Sequence, residues 1–351
     1  MTKQKILIFN ISTDSNNTSL GFAINWINKF SEYYDEIDVV TLNKGDTRLL
    51  NENVNIFSYE SENSNKFTKI LSLRKIIKNL IHHNNYKYCL SHMSSALLLI
   101  SFTILRFKNI KSILWYTHIG PSDRIKKIVL YSAAVIADQI VTASHHSFPL
   151  DFKKVTTIGH AINFQDLYKE QTEPRSNDFL IISRISRSKN IDESIQGFLY
   201  STYGKSQNIT IVGGPLTQQD EVYENYLKKK YSEYRNVRFV GSVPHINLSE
   251  FINQSGFHIN NTPMGFYDKS VLETLASGLI NFYNNPDYDR NIPPEYIDFL
   301  KFDGTDSDLT KKIQVISEFQ NETFTKIIKF SQNRVKDESI ETLHKRIVKV
   351  I

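Results

Sequence analysis

The 351-residue sequence predicts an α/β protein built from two doubly wound parallel-sheet domains. Three observations lead there. Short β-rich apolar runs alternate with helical patterns almost from end to end, as in parallel sheets covered by helices on both faces. The chain is longer than one core ordinarily supports. The alternation also breaks once, at the polar stretch YKEQTEPRSND (168–178), which carries Pro174 and almost no apolar side chains.

In the first series the strands are expected at 5–11, 37–42, 54–59, 88–92, 112–117 and 139–144, with helical stretches at 19–33, 66–83, 94–106 and 122–136. The second series places strands at 179–184, 208–214, 237–243, 256–260 and 279–283, with helices around 190–201, 218–233, 247–254 and 269–277. A helical tail follows from about 307, with Ile327, Ile328, Phe330, Ile340, Leu343, Ile347 and Val350 at helical spacings. The expected organisation is therefore a first domain over 1–168, a linker over 169–178, a second domain over 179–325 and terminal helices over 326–351.

Bulk composition narrows the class. Cys89 is the only cysteine, which excludes an internal disulfide and a cysteine-based zinc cage and fits a reducing compartment, so a cytoplasmic location is expected. The opening MTKQKILIFNIST reads as a strand rather than a signal peptide. The longest apolar run, MSSALLLISFTIL (93–105), falls short of the roughly 18–20 residues that span a bilayer. Of the net charge of +5, residues 1–150 contribute 17 Lys and Arg against 11 Asp and Glu, or +6, and the remainder 25 against 26, or −1. No nucleic-acid-binding signature accompanies the basic half, so a phosphorylated acceptor or an anionic membrane surface fits it better than nucleic acid.

In open parallel sheets ligands sit beyond the carboxyl ends of the strands, which directs attention to four loops of the second series. FLIISRISRSKN puts Arg184 at a strand end and Lys189 five residues on; the two are either solvated loop cations or a clamp on a diphosphate. NITIVGGPL ends in Gly213 and Gly214, which make a turn or let the backbone approach a ligand, without the spacing of a dinucleotide or phosphate-loop fingerprint. VRFVGSVPH sets Val243, Pro244 and His245 beyond a third strand, as a plain turn or a shelf for a nucleobase. GFYDKSVLETLASG (265–278) opens a helix with Asp268 and Lys269; either Asp268 caps it, or the free N–H groups of Lys269, Ser270 and Val271 take a phosphate and Glu273 a sugar hydroxyl.

The first series offers less. WYTHIGPSDR places His118 after a strand, and the first loop, STDSNNTSLG, ends in Gly21 at a helix start. KFTKILSLRKIIKNLIHH (66–83) is basic and amphipathic, either a surface helix packed on its sheet or a contact with anionic lipid.

Taken in order, YTH (116–118), IADQIVTAS (136–144), IGHAINFQDLY (158–168), ISRISRSKNIDESIQGF (182–198), VGGP (212–215), NVRFVGSVPHINLSEFINQSGF (236–257) and DKSVLETLASG (268–278) resemble a family-4 retaining glycosyltransferase of the GT-B fold. The resemblance runs through nearly the whole chain. It implies two facing Rossmann-like domains, with the final helices crossing back to the first, and transfer of a sugar from a nucleotide-diphosphate sugar to a glycan or lipid-linked acceptor. No metal or other cofactor is implied.

By motif position Arg184 and Lys189 would neutralise the leaving diphosphate, Glu273 would hold the ribose, the segment around Val243 and Pro244 would seat the base, and His118 would lie beside the reacting carbon. Gly21, Gly213, Gly214, Lys269, Ser270 and Val271 complete the expected donor contacts. One departure stands out. The family commonly carries a second acid eight positions before Glu273, where this chain has Gly265; Asp268, in an F-x-D-K form similar to a subset of the family, is then expected to contact a sugar hydroxyl. A nucleotide-sugar epimerase of the same fold and a non-catalytic binding subunit are the alternatives.

Overall fold

Strands buried on both faces dominate the computed structural model, which describes residues 4–17, 20–58, 66–121 and 123–351. In β1 (Lys5–Thr13) the run Ile6–Asn10 is continuously buried, the pattern of a parallel strand between two helical layers rather than of a half-exposed one. The chain divides into two units, Met1–Gly159 with Ile340–Ile351, and His160–Ser339.

The first unit continues through α1 (Ala23–Ser31), β2 (Glu36–Lys44), β3 (Val54–Ser58), α2 (Lys66–His83), β4 (Tyr86–His92), α3 (Ser95–Phe107), β5 (Lys111–Trp115), α4 (Arg124–Ile136), β6 (Gln139–Thr142) and β7 (Val155–Thr157). Its seven strands run in the order β3-β2-β1-β4-β5-β6-β7, every pairing parallel. Every strand expected here from sequence is present; β7, three residues long, is an addition too short for a periodic signal. Leu73 and Ile77 of α2, Leu97, Leu98 and Leu105 of α3, and Leu130, Ala133 and Ala134 of α4 enter one core with Leu7 and Leu114 of the sheet. Among the described residues no helix is long and apolar enough to cross a membrane.

The second unit holds α5 (Phe164–Leu167), β8 (Phe179–Ile182), α6 (Ile191–Tyr200), β9 (Ile209–Val212), α7 (Gln218–Lys230), β10 (Val237–Gly241), α8 (Leu248–Gln254), β11 (Phe257–Asn260), α9 (Lys269–Ala276), β12 (Ile280–Tyr283), α10 (Ile297–Leu300), α11 (Asp306–Val315) and α12 (Asn321–Val335). Its sheet runs β10-β9-β8-β11-β12, again parallel. Phe179, Phe257 and Phe282 stack across neighbouring strands in its core. The winding direction reverses between β8 and β11, and the loops leaving that pair of strands flank the crevice in which doubly wound sheets bind ligands.

Two boundaries differ from the sequence expectation. The division falls at Gly159–His160, and the polar stretch expected as a linker lies inside the second unit, where Gln171 donates to the carbonyls of Ser277 and Gly278 and Arg175 donates to that of Ser277. The terminal helices also part company. α12 packs on α9, while α13 (Ile340–Val348) belongs to the first unit, where it lies against α1 and stacks His344 on Tyr33 at 4.0 Å.

Candidate functional site

The loop after β8 makes one short 3-10 turn, Arg187–Lys189, and leaves it through Asn190 with a left-handed backbone (φ 45°) before α6 begins. This turn sends Lys189 inward: its side chain is 5% exposed, and the ammonium lies 4.9 Å from the centre of the Phe266 ring. A lysine this deep requires a counter-charge. Asp268, across the crevice at the start of α9, supplies it, with Oδ1 at 2.8 Å and Oδ2 at 2.7 Å from Lys189 Nζ. Asn260 and Thr262, just past β11, also donate to Asp268 Oδ2, at 3.1 and 2.8 Å. Burial pushes the Asp268 carboxyl up, but Lys189 and these two donors override it and hold the group well below the usual carboxylate range.

Asp268 occupies the N-cap position of α9 with an extended backbone, yet its side chain makes no capping bond. The capping reading of this residue is therefore corrected: its carboxylate is committed to Lys189, Asn260 and Thr262. The first-turn amides of Lys269, Ser270 and Val271 lie at the positive end of the helix dipole, and the Asp268 side chain takes none of them. The loop before it is pinned from below. Buried Glu338 accepts from Tyr267 Oη at 2.7 Å, from Arg290 at 2.6 Å and from the His160 amide at 2.8 Å, while the Asp268 amide donates to Tyr288 Oη at 2.5 Å. Gly265, where the family pattern has an acid, sits at φ 96°, a conformation that disfavours any L side chain.

One turn further along α9, buried Glu273 bonds His245 Nε2 at 2.8 Å. Burial pushes the Glu273 carboxyl up, and His245 reverses the shift and brings it below its ordinary value; in return Glu273 raises the imidazole. Half-buried Lys269 donates to the Ala161 carbonyl at 3.1 Å, and desolvation lowers its ammonium to about 8.

The glycine pair after β9 closes the other side. Gly213 has φ 142°, and a Cβ there would lie 1.8 Å from the Ser183 carbonyl oxygen; one on Gly214 would lie 2.2 Å from Ser242 Oγ. The backbone at Gly213 leaves no room for a side chain, whereas at Gly214 the obstacle is a hydroxyl that can rotate away, and the Gly213 amide donates to Gly241 at the end of β10. Val243 packs partly buried beside Leu180, Ile182 and Val212, and Pro244 is exposed. Arg184 is exposed, and its guanidinium has no ion pair among the described residues.

The second unit thus joins Lys189 to Asp268, carries Glu273 one turn on from Asp268, and holds Gly213 and Gly214 against the ends of β8 and β10. His118 and Gly21 belong to the first unit. His118 is exposed and meets Tyr116 edge to face at 6.4 Å; Gly21 lies where a Cβ would be 2.6 Å from the Asn17 carbonyl oxygen. Sequence reasoning did not assign His245, Asn260, Thr262 or Tyr288 to the site. Asn260 and Thr262 were accessible to the strand-end rule that found the others. The strand-end rule also reached His245, in the VPH segment, but not its pairing with Glu273 28 residues on, and Tyr288, 20 residues from Asp268, had no such signal.

No family model and no curated protein sequence matches the chain. Solved structures do. Anabaena HepE in complex with UDP is similar with a TM-score of 0.74 at 12% identity, covering 99% of each chain. Sucrose-phosphate synthase from Thermosynechococcus elongatus is similar with a TM-score of 0.76 at 13% identity, covering 99% of this chain and 98% of that one. A more distant likeness, TM-score 0.61 at 12% identity over 99% of this chain and 95% of that one, is to a putative UDP-N-acetylglucosamine 2-epimerase from Listeria monocytogenes. The fold is GT-B, as the sequence implied, with one seven-stranded and one five-stranded parallel sheet.

Proposed function

We propose that this chain is a retaining, metal-independent glycosyltransferase of the cytoplasm that moves a sugar from a nucleotide-diphosphate sugar to a hydroxyl of a glycan or lipid-linked acceptor. The observation that carries the reading is the cluster at the switch point of the second sheet: Lys189 and Asp268 joined across the crevice, with the start of α9, which Asp268 does not cap, and the glycine pair after β9 around them. The likeness to HepE crystallised with UDP supports it.

Transfer breaks the bond between the anomeric carbon and the diphosphate oxygen and forms one to the acceptor oxygen, whose proton leaves with the diphosphate. Negative charge therefore grows on the leaving group. Fixed cations and amide donors stabilise that charge more in the transition state than before it, which is the condition for acceleration. Arg184, Lys189 and the amides of Lys269, Ser270 and Val271 take this role. Gly213 and Gly214 admit the diphosphate, Val243 and Pro244 support the base, and Glu273, held by His245, receives the ribose hydroxyls. Asp268 holds the Lys189 ammonium in place. His118 keeps the role the resemblance gives it, beside the reacting carbon, and Gly21 meets the donor phosphates. α2 contacts anionic lipid through the side it leaves exposed, with Phe67, Ile70 and Leu71 beside Lys75 and Lys78.

The epimerase is the second reading, favoured by the likeness to the Listeria protein. Incubation with labelled nucleotide sugars, with and without an acceptor panel, tests both. Release of nucleoside diphosphate that depends on acceptor is the expected result. Interconversion of the sugar without acceptor would give the epimerase instead, and an unchanged donor under every condition would leave the binding subunit.

A further inference from the structure

The first unit holds an apolar cavity of 490 Å³ that the donor chemistry does not use. It lies between α4 and the segments around 119–121 and 149–150, and its walls include Ile119, Pro121, Ile128, Tyr131 and Leu150, with Lys127 as its cation. The volume lies within the roughly 300–1,000 Å³ of small-molecule sites. The outer face of α4 is apolar as well: Ile125 is 72% exposed and Ile128 58%, with Tyr131 and Val135 also exposed one and two turns on. Exposed side chains of this size at helical spacing are a face that lacks its partner.

Charge identifies the partner. α4 begins with Arg124, Lys126 and Lys127, α2 carries five Lys and Arg and α3 one, and none of the three helices contains a single Asp or Glu. Asp123 caps α4 through the Lys126 amide and Asp138 pairs with Arg106, which leaves the start of α4 with three cations against one carboxylate. An apolar cavity whose lining carries Lys127, with Arg124 and Lys126 beside it in the chain, takes a molecule with a hydrocarbon body and an anionic head, because the lysine stem lies along the chain while its ammonium reaches the head.

We propose that the α4 cavity binds a lipid phosphate, its hydrocarbon chain between α4 and Leu150 and its phosphate on Lys127 and, one turn earlier, Arg124. Ile119 and Gly120 of the cavity wall follow His118 directly in the chain, so the bound lipid lies against the His118 loop. As a statement of acceptor class, a lipid-linked phosphate, the inference rests on the transferase reading; as a lipid site it stands on the cavity and its charges.

Calorimetric titration of the full chain with decyl phosphate below its micelle concentration tests it, beside inorganic phosphate and dodecyl maltoside, which supply the head and an uncharged amphiphile separately. Saturation at one site is expected, with both controls at least tenfold weaker. Ile128→Asp and Lys127→Glu, each altering an exposed side chain, should weaken decyl phosphate at least tenfold with unchanged circular dichroism, whereas Val222→Asp on α7, also at an exposed side chain, should not. Equal binding of inorganic phosphate, uptake without saturation, or wild-type affinity in both α4 variants would overturn the site. Decyl phosphate saturating a chain that binds no nucleoside diphosphate would uphold the lipid site and overturn the acceptor assignment.

Discussion

Lys189 and Asp268, 79 residues apart in sequence, meet with the ammonium 2.8 and 2.7 Å from the two carboxylate oxygens. The pair joins the β8 loop to the start of α9 across the point where the sheet changes its winding direction. Removing one partner of a buried pair strands the other charge, at roughly 3–5 kcal/mol. Asp268 retains solvent contact through 23% of its side chain, which places Asp268→Asn near the lower limit, about 3 kcal/mol. Urea unfolding should show this loss, and the double variant Lys189→Met with Asp268→Asn should recover part of it.

Arg184 gives the opposite signature. It is exposed and its guanidinium has no ion pair among the described residues, so Arg184→Ala should leave stability within about 0.5 kcal/mol of the parent. Loss of one stabilising contact to the leaving group typically costs about 10²–10³ in rate. Steady-state kinetics should therefore show a fall of that size in kcat with an unchanged melting temperature.

These two residues mark how much the sequence made legible. Strand and helix placement followed from apolar periodicity, and the strand-end rule found Arg184, Lys189, Gly213 and Glu273 because each lies in a βα loop or the helix it opens. Long-range pairing was hidden. Nothing local couples Glu273 to His245, or explains why Asp268 abandons its capping position for Lys189, since both depend on how β10, β8 and α9 are brought side by side. The split of the tail was hidden for the same reason: α12 and α13 are both amphipathic, and only packing assigns one to each unit.

His245 and Glu273 predict a pH window. The imidazole, raised above its ordinary 6.5 by Glu273, contributes fully below 6.5, and its contribution disappears as pH rises through the raised value. The carboxyl, lowered from 4.5, contributes above 4.5 and loses its effect as pH falls through the lowered value. His245→Gln should accordingly cost about 1 kcal/mol between these limits and progressively less above them, because the imidazole keeps solvent access. Melting curves of both proteins from pH 4 to 9 check the shape.

Gly213→Ala tests the close approach of the β9 loop. The added Cβ would meet the Ser183 carbonyl oxygen at 1.8 Å and hold φ at 142° against its preference, so the backbone must shift. A stability loss of about 1–3 kcal/mol is expected from the strained conformation alone. Nucleotide affinity should fall with it, whereas Gly241→Ala, with open space for its Cβ, should lower stability through φ alone.

The central claim is that the ends of the second sheet's strands grip a nucleoside diphosphate. Calorimetric titration of the full chain with UDP, GDP and ADP tests it most directly, with Arg184→Ala and Lys189→Met beside the parent. Saturable binding of at least one nucleotide at a single site, weakened tenfold or more in each variant, is the predicted result. Absence of binding by all three, or binding that both variants leave unchanged, would contradict it.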